Sequence, residues 1–539
     1  MDSAAVAEHT REGAPSSTDE NARSGRIRAI ALVCAVVVVS ALGVWLVSPR
    51  FAIDTPSLID DWSAISRSPE QVHALLRLEN PEEQRFRPSW ILWNAVQWHT
   101  FDAPDGLVGP NLWNLARMVV VIGGLSLLTL LAMPSPRTRA EALLQAALAA
   151  MPALLVLTVP KFARDLPRFG VQEPLFLGGL ALGGSLLVLA IRALLATPPR
   201  AAWKAWLLGV AGALFWAVGA YQKEASLSAI PVLAAALFAG RGRLASWRSL
   251  DAGRRRALAA IGLVFVLPLV HVAVETIRIA GRGDLVYDTQ VDGGRGIVRG
   301  FDVLYDWAHE VFSLQNQRVI VAAVVLVVLT AVVRRRLDVL AVGVLAAGAL
   351  TLVFAAQTNV AASRYYLPAY ALATVALVLS LARLPAVAQV AGLVLLLAVV
   401  RTSVAAAHDE VQVWVDEEDA GAALVHVVAD ADATGCRVAV GGLDQETTEA
   451  LPVLVGLQHR RVAPTCAGGA AYLVVGTLAE GAALRKACAA HALELVLEEY
   501  PGSVYRCSRL RERPVRDPTF GLVEPARLVA LRALRPKPD

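Results

Sequence analysis

The chain has 539 residues, of which 56% are hydrophobic and 18% charged, with a formal net charge of +4 and a mean hydropathy of +0.53. These values exclude an ordinary soluble enzyme and describe a protein that crosses a membrane several times. So small a net charge gives no basis for a nucleic-acid partner, and none is expected.

Residues 1–25 are polar, without periodicity, and read as a disordered cytoplasmic tail. Arg23, Arg26 and Arg28 lead into the apolar run Ala29 to Val47. About 20 such residues suffice to cross a bilayer. The run lacks a small-residue exit and is followed by further spans, so it is a signal anchor rather than a cleaved signal peptide. More runs of spanning length fall near 112–133, 140–159, 174–196, 203–220, 224–240, 256–279, 317–333, 337–356, 364–382 and 385–404. The reading is a mainly α, polytopic membrane domain over 26–404, with about 11 transmembrane helices. Cys34 lies in the first span and reads as a small core residue. Gly178-Gly179 and Gly183-Gly184 lie within a span, where close helix packing explains them better than phosphate binding.

Arginines set the expected orientation. With the N-terminus cytoplasmic, the short loops PSPRTR, GRGRLASWRSLDAGRRR, RRR at 334–336 and ARLP lie inside. Loop 49–111, loop 280–316, and the turns carrying Glu173, Lys223 and Arg364 then share the outer face. After Arg401 the pattern changes. Residues 405–510 alternate short β-rich runs (Arg437 to Val440, Ala471 to Val475, Leu493 to Leu497, Val504 to Cys507) with amphipathic stretches at 444–457 and 479–491. This predicts a small soluble α/β domain, extracytoplasmic by the span count. Its cysteines, Cys436, Cys466, Cys488 and Cys507, would meet an oxidising environment, and three pairings are open. Residues 511–539 read as an irregular tail. No G-x-x-x-x-G-K-[ST], H-E-x-x-H or G-x-S-x-G occurs.

The outer loops hold the candidate chemistry. Asp60-Asp61 follow the first span. Adjacent carboxylates can divide labour, one taking a proton from a hydroxyl while the other orients it or holds a cation. The bland alternative is a solvated turn capping a short helix. Arg85, Arg87 and Pro88 come next. Proline suits a first helical turn, arginine suits a phosphate, and Trp90, Trp93 and Trp98 suit the interface; ordinary snorkelling is the plain reading. Lys223-Glu224 make a tight turn between two spans, where Lys223 could neutralise a phosphate or simply pair with Glu224. Arg364, Tyr365 and Tyr366 open a late span and are expected to project at the interface. Glu173 starts another, after Arg164 and Arg168.

In this order and on this side, the set resembles the GT-C class of integral membrane glycosyltransferases, in particular the branch similar to protein O-mannosyltransferases and lipid A aminoarabinose transferases. The carriers are Asp60-Asp61, the R-x-R-P of Arg85, Arg87 and Pro88, Lys223-Glu224 followed by Pro231, and the R-Y-Y-L-P of Arg364 to Pro368, over about residues 25–405. The resemblance implies a polyprenyl-phosphate sugar donor, inversion at the anomeric carbon, and Asp60 as general base. Lys223 and Arg364 are expected near the leaving phosphate from their charge and position, with Arg85 and Arg87 as further phosphate ligands. Glu173, Glu224, Tyr365 and Tyr366 support the site. Members differ in metal dependence, so a divalent cation stays open and no cofactor is assigned. The acceptor is a glycan, lipid or protein of the cell envelope, and the composition suggests a GC-rich bacterial genome. The competing readings are a transporter or flippase for a lipid-linked sugar, and a membrane scaffold working through its C-terminal domain.

Overall fold

The computed structural model describes residues 17–49, 71–75, 77, 86–100, 108–168, 171–195, 202–244, 250–280, 295–356 and 363–433, together with six short strands further on. The helices are α1 (Ser17–Val47), α2 (Pro88–His99), α3 (Val108–Ala132), α4 (Arg139–Leu157), α5 (Pro160–Asp165), α6 (Glu173–Leu195) and α7 (Ala202–Ala220). A 3-10 turn (Glu224–Ala229) then leads into α8 (Ile230–Leu244), α9 (Ala252–Ala280), α10 (Arg295–Val311), α11 (Leu314–Arg334), α12 (Val339–Ala356), α13 (Ser363–Leu381) and α14 (Ala386–Ala433).

Ten of the described helices are long and apolar enough to cross a membrane. The eleventh expected span, 224–240, is only a short apolar helix behind a 3-10 turn. At 1.5 Å per residue, the 15 residues of α8 cover about 22 Å, short of a hydrocarbon core of roughly 30 Å. The stretch expected as outer loop 280–316 contains α10, and loop 49–111 contains α2. Cys34 is exposed on α1 rather than packed in the core, because α1 lies at the edge of the bundle.

Local chemistry explains the helix ends. Thr138 accepts from Glu141 N at 3.1 Å while Glu141 accepts from Arg137 N at 2.7 Å, a variant of the capping box. Pro160 opens α5, where its missing N–H costs nothing. Ser313 caps α11 through Asn316 N.

At the centre of the bundle stands α13, almost wholly buried, against α4, α11 and α12. The α6–α7 hairpin packs backbone to backbone. A Cβ on Gly183 would lie 2.3 Å from Trp216 N, and one on Gly219 would lie 2.5 Å from Leu180 N. Small residues permit this approach, which in lipid supplies the packing that the hydrophobic effect cannot. The antiparallel seam fixes the start of α6 against the residues that follow α7.

The boundary expected at 404 falls inside α14, one helix of 48 residues. Beyond it, β1 (Arg437–Gly441), β2 (Ala471–Val475), β3 (Leu493–Glu499) and β4 (Gly502–Cys507) form a sheet of order β1-β2-β4-β3. The pair β1–β2 is parallel and the others antiparallel. Short strands β5 (Val515–Asp517) and β6 (Gly521–Val523) pair separately, in the stretch expected as an irregular tail. The helical stretches 444–457 and 479–491, and Cys436, Cys466 and Cys488, lie outside the described residues.

Candidate active site

The α6–α7 hairpin carries Glu173 to the first residue of α6 and Lys223 to the turn after α7. Lys223 has extended backbone (φ −161°, ψ 149°) and the next residue enters the 3-10 turn, so the adjacent side chains diverge. Lys223 Nζ donates to Glu173 Oε1 at 2.5 Å. The same ammonium sits 4.1 Å from the centre of the Tyr365 ring, and the Arg364 guanidinium is 5.8 Å from that ring. Glu173 and Tyr365 are buried and Lys223 nearly so. A cation over an aromatic face in a dry site is attracted by the ring quadrupole.

Glu224 faces the other way. It accepts from Arg87 Nε at 3.4 Å and from a terminal nitrogen of the same fork at 3.5 Å. Arg87 is 4% exposed and stands just before Pro88, where α2 begins. Backbone contact fixes that start, since Ser89 N donates to Tyr221 O at 3.3 Å. Phe86 adds ring contacts to His271 at 4.9 Å and Tyr221 at 6.1 Å. Tyr221 Oη and His271 Nδ1 are 3.1 Å apart.

A third carboxylate, Asp165, ends α5 at 1% exposure. It accepts from Ser363 Oγ, faces Arg168 at 3.3 Å and lies 3.8 Å from Arg164 Nε. The loop behind it is held by Arg117, an arginine of α3 with no exposed surface. Arg117 donates to the carbonyls of Leu166, Arg168 and Val171 at 2.5–2.7 Å. Asn114 donates to Pro167 O at 2.7 Å. Lys161 and Arg164 reach Glu410 on α14 at 2.6 and 3.3 Å.

Among the described residues of this site, the cations are Arg87, Lys161, Arg164, Arg168, Lys223 and Arg364, and the carboxylates are Asp165, Glu173, Glu224 and Glu410. Burial pulls the Lys223 ammonium below the usual lysine range, and Glu173 opposes that pull. Burial pushes the Asp165 carboxyl above the usual carboxylate range, against the opposing charge of Arg164 and the bond from Ser363. Chemically, the arrangement offers densely packed cations next to neutralising carboxylates at one end of a membrane bundle. That suits a multiply charged oxyanion.

The structure thus brings together Arg87, Glu173, Lys223, Glu224, Arg364 and Tyr365. It pairs Lys223 with Glu173 and Glu224 with Arg87, where the sequence suggested a Lys223–Glu224 pair. Tyr365 and Tyr366 were expected to project at the interface; instead both are buried, because α13 runs through the bundle centre. The Tyr366 hydroxyl donates to Leu304 O, tying α10 to α13. Asp60, Asp61 and Arg85 lie outside the described residues. Among the described residues, no group of three or more His, Cys, Asp or Glu gathers to hold a metal ion. Sequence reasoning missed Asp165 and Arg117. The signals were present: an acid bracketed by Arg164 and Arg168, and a lone arginine in the apolar run of α3.

No family model matches the chain, and no curated protein matches it. Among solved structures, the crystal structure of ArnT from Cupriavidus metallidurans in the apo state is similar in fold, at a TM-score of 0.44 and 14% sequence identity. The match covers 90% of this chain and 98% of that one.

Proposed function

We propose that this protein is an inverting membrane glycosyltransferase that moves a sugar from a polyprenyl-phosphate donor to an acceptor hydroxyl at the extracytoplasmic face. The observation that carries the reading is the buried cluster of Lys223, Arg364, Tyr365 and Glu173 at one end of a bundle of membrane-spanning helices. Charges so near a bilayer are costly unless they serve a ligand or each other. The resemblance in the ordered motifs from Asp60 to Pro368 supports the same reading.

In the proposed step, the acceptor oxygen attacks the anomeric carbon as the bond from that carbon to the phosphate oxygen breaks. The electron pair of that bond goes to the phosphate, whose growing charge Lys223 and Arg364 hold, with Arg85 and Arg87 as further ligands. The acceptor proton passes to Asp60, with Asp61 beside it as the orienting carboxylate. A single displacement inverts the configuration. Glu173 and Glu224 hold Lys223 and Arg87 in place, and Tyr365 and Tyr366 shape the wall. The donor enters from the membrane, which a flipped lipid carrier explains better than a nucleotide sugar, since nucleotide sugars are cytoplasmic. The N-terminus is then cytoplasmic, and the C-terminal segment is an extracytoplasmic α/β domain built on the observed sheet.

The test is mass spectrometry of lipids retained by the full-length protein, paired with a transfer assay on extracted donor. Asp60→Asn should retain a polyprenyl-phosphate sugar and lose about 10²–10⁴-fold in transfer rate, the usual contribution of a general base. Wild-type rates in that variant would remove Asp60 as the base. Absence of any such lipid from both proteins, with other lipids retained, would overturn the donor.

A further inference from the structure

Helix α13 opens in the cluster at one end of the bundle and leads to a cleft at the other. Ser363 of the cluster opens α13, and Arg383 lies just past its far end. Those 19 helical residues span about 28 Å, close to the thickness of a bilayer core. At the far end, α8, α11, α12 and the chain after α13 border an open cleft of about 240 Å³, on which Arg334 and Arg336 are exposed. That is many times the roughly 10–15 Å³ of free space that one water needs. Arg334, Arg336 and Arg383 line it, with Asp338 and Leu337.

How each arginine is held is informative. Arg383 Nε donates to Asp338 Oδ2 at 2.8 Å. The other oxygen of Asp338 accepts from the backbone N–H groups of Leu340 and Ala341, capping α12. The one carboxylate on this wall is therefore already engaged. Arg334 and Arg336 form no ion pair among the described residues, although both face the cavity. Arg335 between them takes left-handed backbone (φ 50°), which L side chains adopt reluctantly. That turn ends α11 and brings residues two apart in sequence to one concavity. Other arginines at this end are used differently: Arg28 and Arg192 donate to the carbonyls that end α3. Beside the cleft, Val332, Val333 and Leu337 are each more than three-fifths exposed. For Val332 and Val333, in the last turn of a span, this is surface for acyl chains, and Leu337 lies in the connection that follows.

We propose that this cleft binds the phosphate monoester headgroup of an anionic membrane lipid, with Arg334 and Arg336 as its main ligands and Arg383, braced by Asp338, as the third. It is separate from the carboxylate cluster by the length of α13. Arginine forks match phosphate oxygens two at a time, and the exposed valines and leucine receive the lipid tail.

The test uses the full-length protein in detergent and reads lipid binding by native mass spectrometry. The probes are dioctanoyl phosphatidic acid, dioctanoyl phosphatidylcholine and inorganic phosphate at matched ionic strength. Phosphatidic acid should saturate one site, and phosphatidylcholine should not. Arg334→Gln with Arg336→Gln should weaken it about a hundredfold, since each charged hydrogen bond is worth about tenfold. Arg137→Gln with Arg139→Gln, exposed at the same end but outside the cleft, should change it by less than about twofold. Unaltered affinity in the first pair, or an equal loss in the control pair, overturns the site. Full competition by inorganic phosphate would keep the phosphate site but overturn its lipid source, and equal binding of phosphatidylcholine would overturn its selectivity.

Discussion

Replacing Glu173 by glutamine should destabilise this protein more than any exposed substitution could. Glutamine keeps the volume and one acceptor but removes the charge that faces Lys223 Nζ at 2.5 Å. At that separation and an effective dielectric of about 20, the gross attraction is about 7 kcal/mol. Burying two ions costs several kcal/mol each, so the intact pair contributes little net stability. Removing one partner is different. Lys223, only 13% exposed, would stay in the bundle uncompensated beside Arg364 and Arg87. The expected cost is roughly 3–5 kcal/mol. Glu173→Gln with Lys223→Met should return to within about 1 kcal/mol of wild type, because a neutral, well-packed pair replaces the ionic one. Unfolding by detergent titration in mixed micelles, over the full double-mutant cycle, measures this. A cost below about 0.5 kcal/mol for the single variant, or simple additivity in the double, would refute the view that these charges are held as one buried unit.

Gly183→Ala should lose about 3 kcal/mol and loosen the Lys223–Glu173 contact, because its Cβ meets backbone that cannot yield. Gly123→Ala, with nothing within 4 Å, should instead gain about 0.5–1 kcal/mol, and equal effects in the two variants would deny the seam its role. Asp165 supplies a pH signature. Its folded pKa lies above 3.8, so the folded state binds the proton more tightly than the unfolded one, and stability falls as pH rises from 3.8 through the raised value. Asp165→Asn should flatten that limb in unfolding midpoints taken across the acid range, and an unchanged limb would assign it elsewhere.

Much of this was legible in the chain. Hydropathy located the spans, since a bilayer core imposes length and apolarity together. The four strand runs after residue 436 were readable from their β-branched and aromatic content. The partners within the site were not. Glu173 and Lys223 each stood out as charges at span ends, yet nothing local said they would meet. That follows from a glycine seam that begins about one turn away, at Gly219, where contact depends on backbone approach rather than on the charged residues. Lys223 and Glu224 looked like a pair because they are neighbours, but an extended residue before a 3-10 turn sends them apart. Tyr365 and Tyr366 read as interfacial because a tyrosine has both an apolar ring and a hydroxyl. The hydroxyl of Tyr366 is satisfied inside by Leu304 O, which sequence pattern does not reveal.

The single helix α14 also acts as a gauge of rotation. Each residue turns it by about 100° and advances it 1.5 Å, so its 48 residues reach about 72 Å. Glu410, gripped by Lys161 and Arg164, marks a fixed phase on that rod, and strands β1, β3 and β4 of the sheet contact the same helix. The direction the sheet faces is therefore set by a residue count. Losing one residue between Val415 and Ala433 would swing it through more than a quarter turn, while losing seven would return it to within about 20° of where it began, only nearer the bundle.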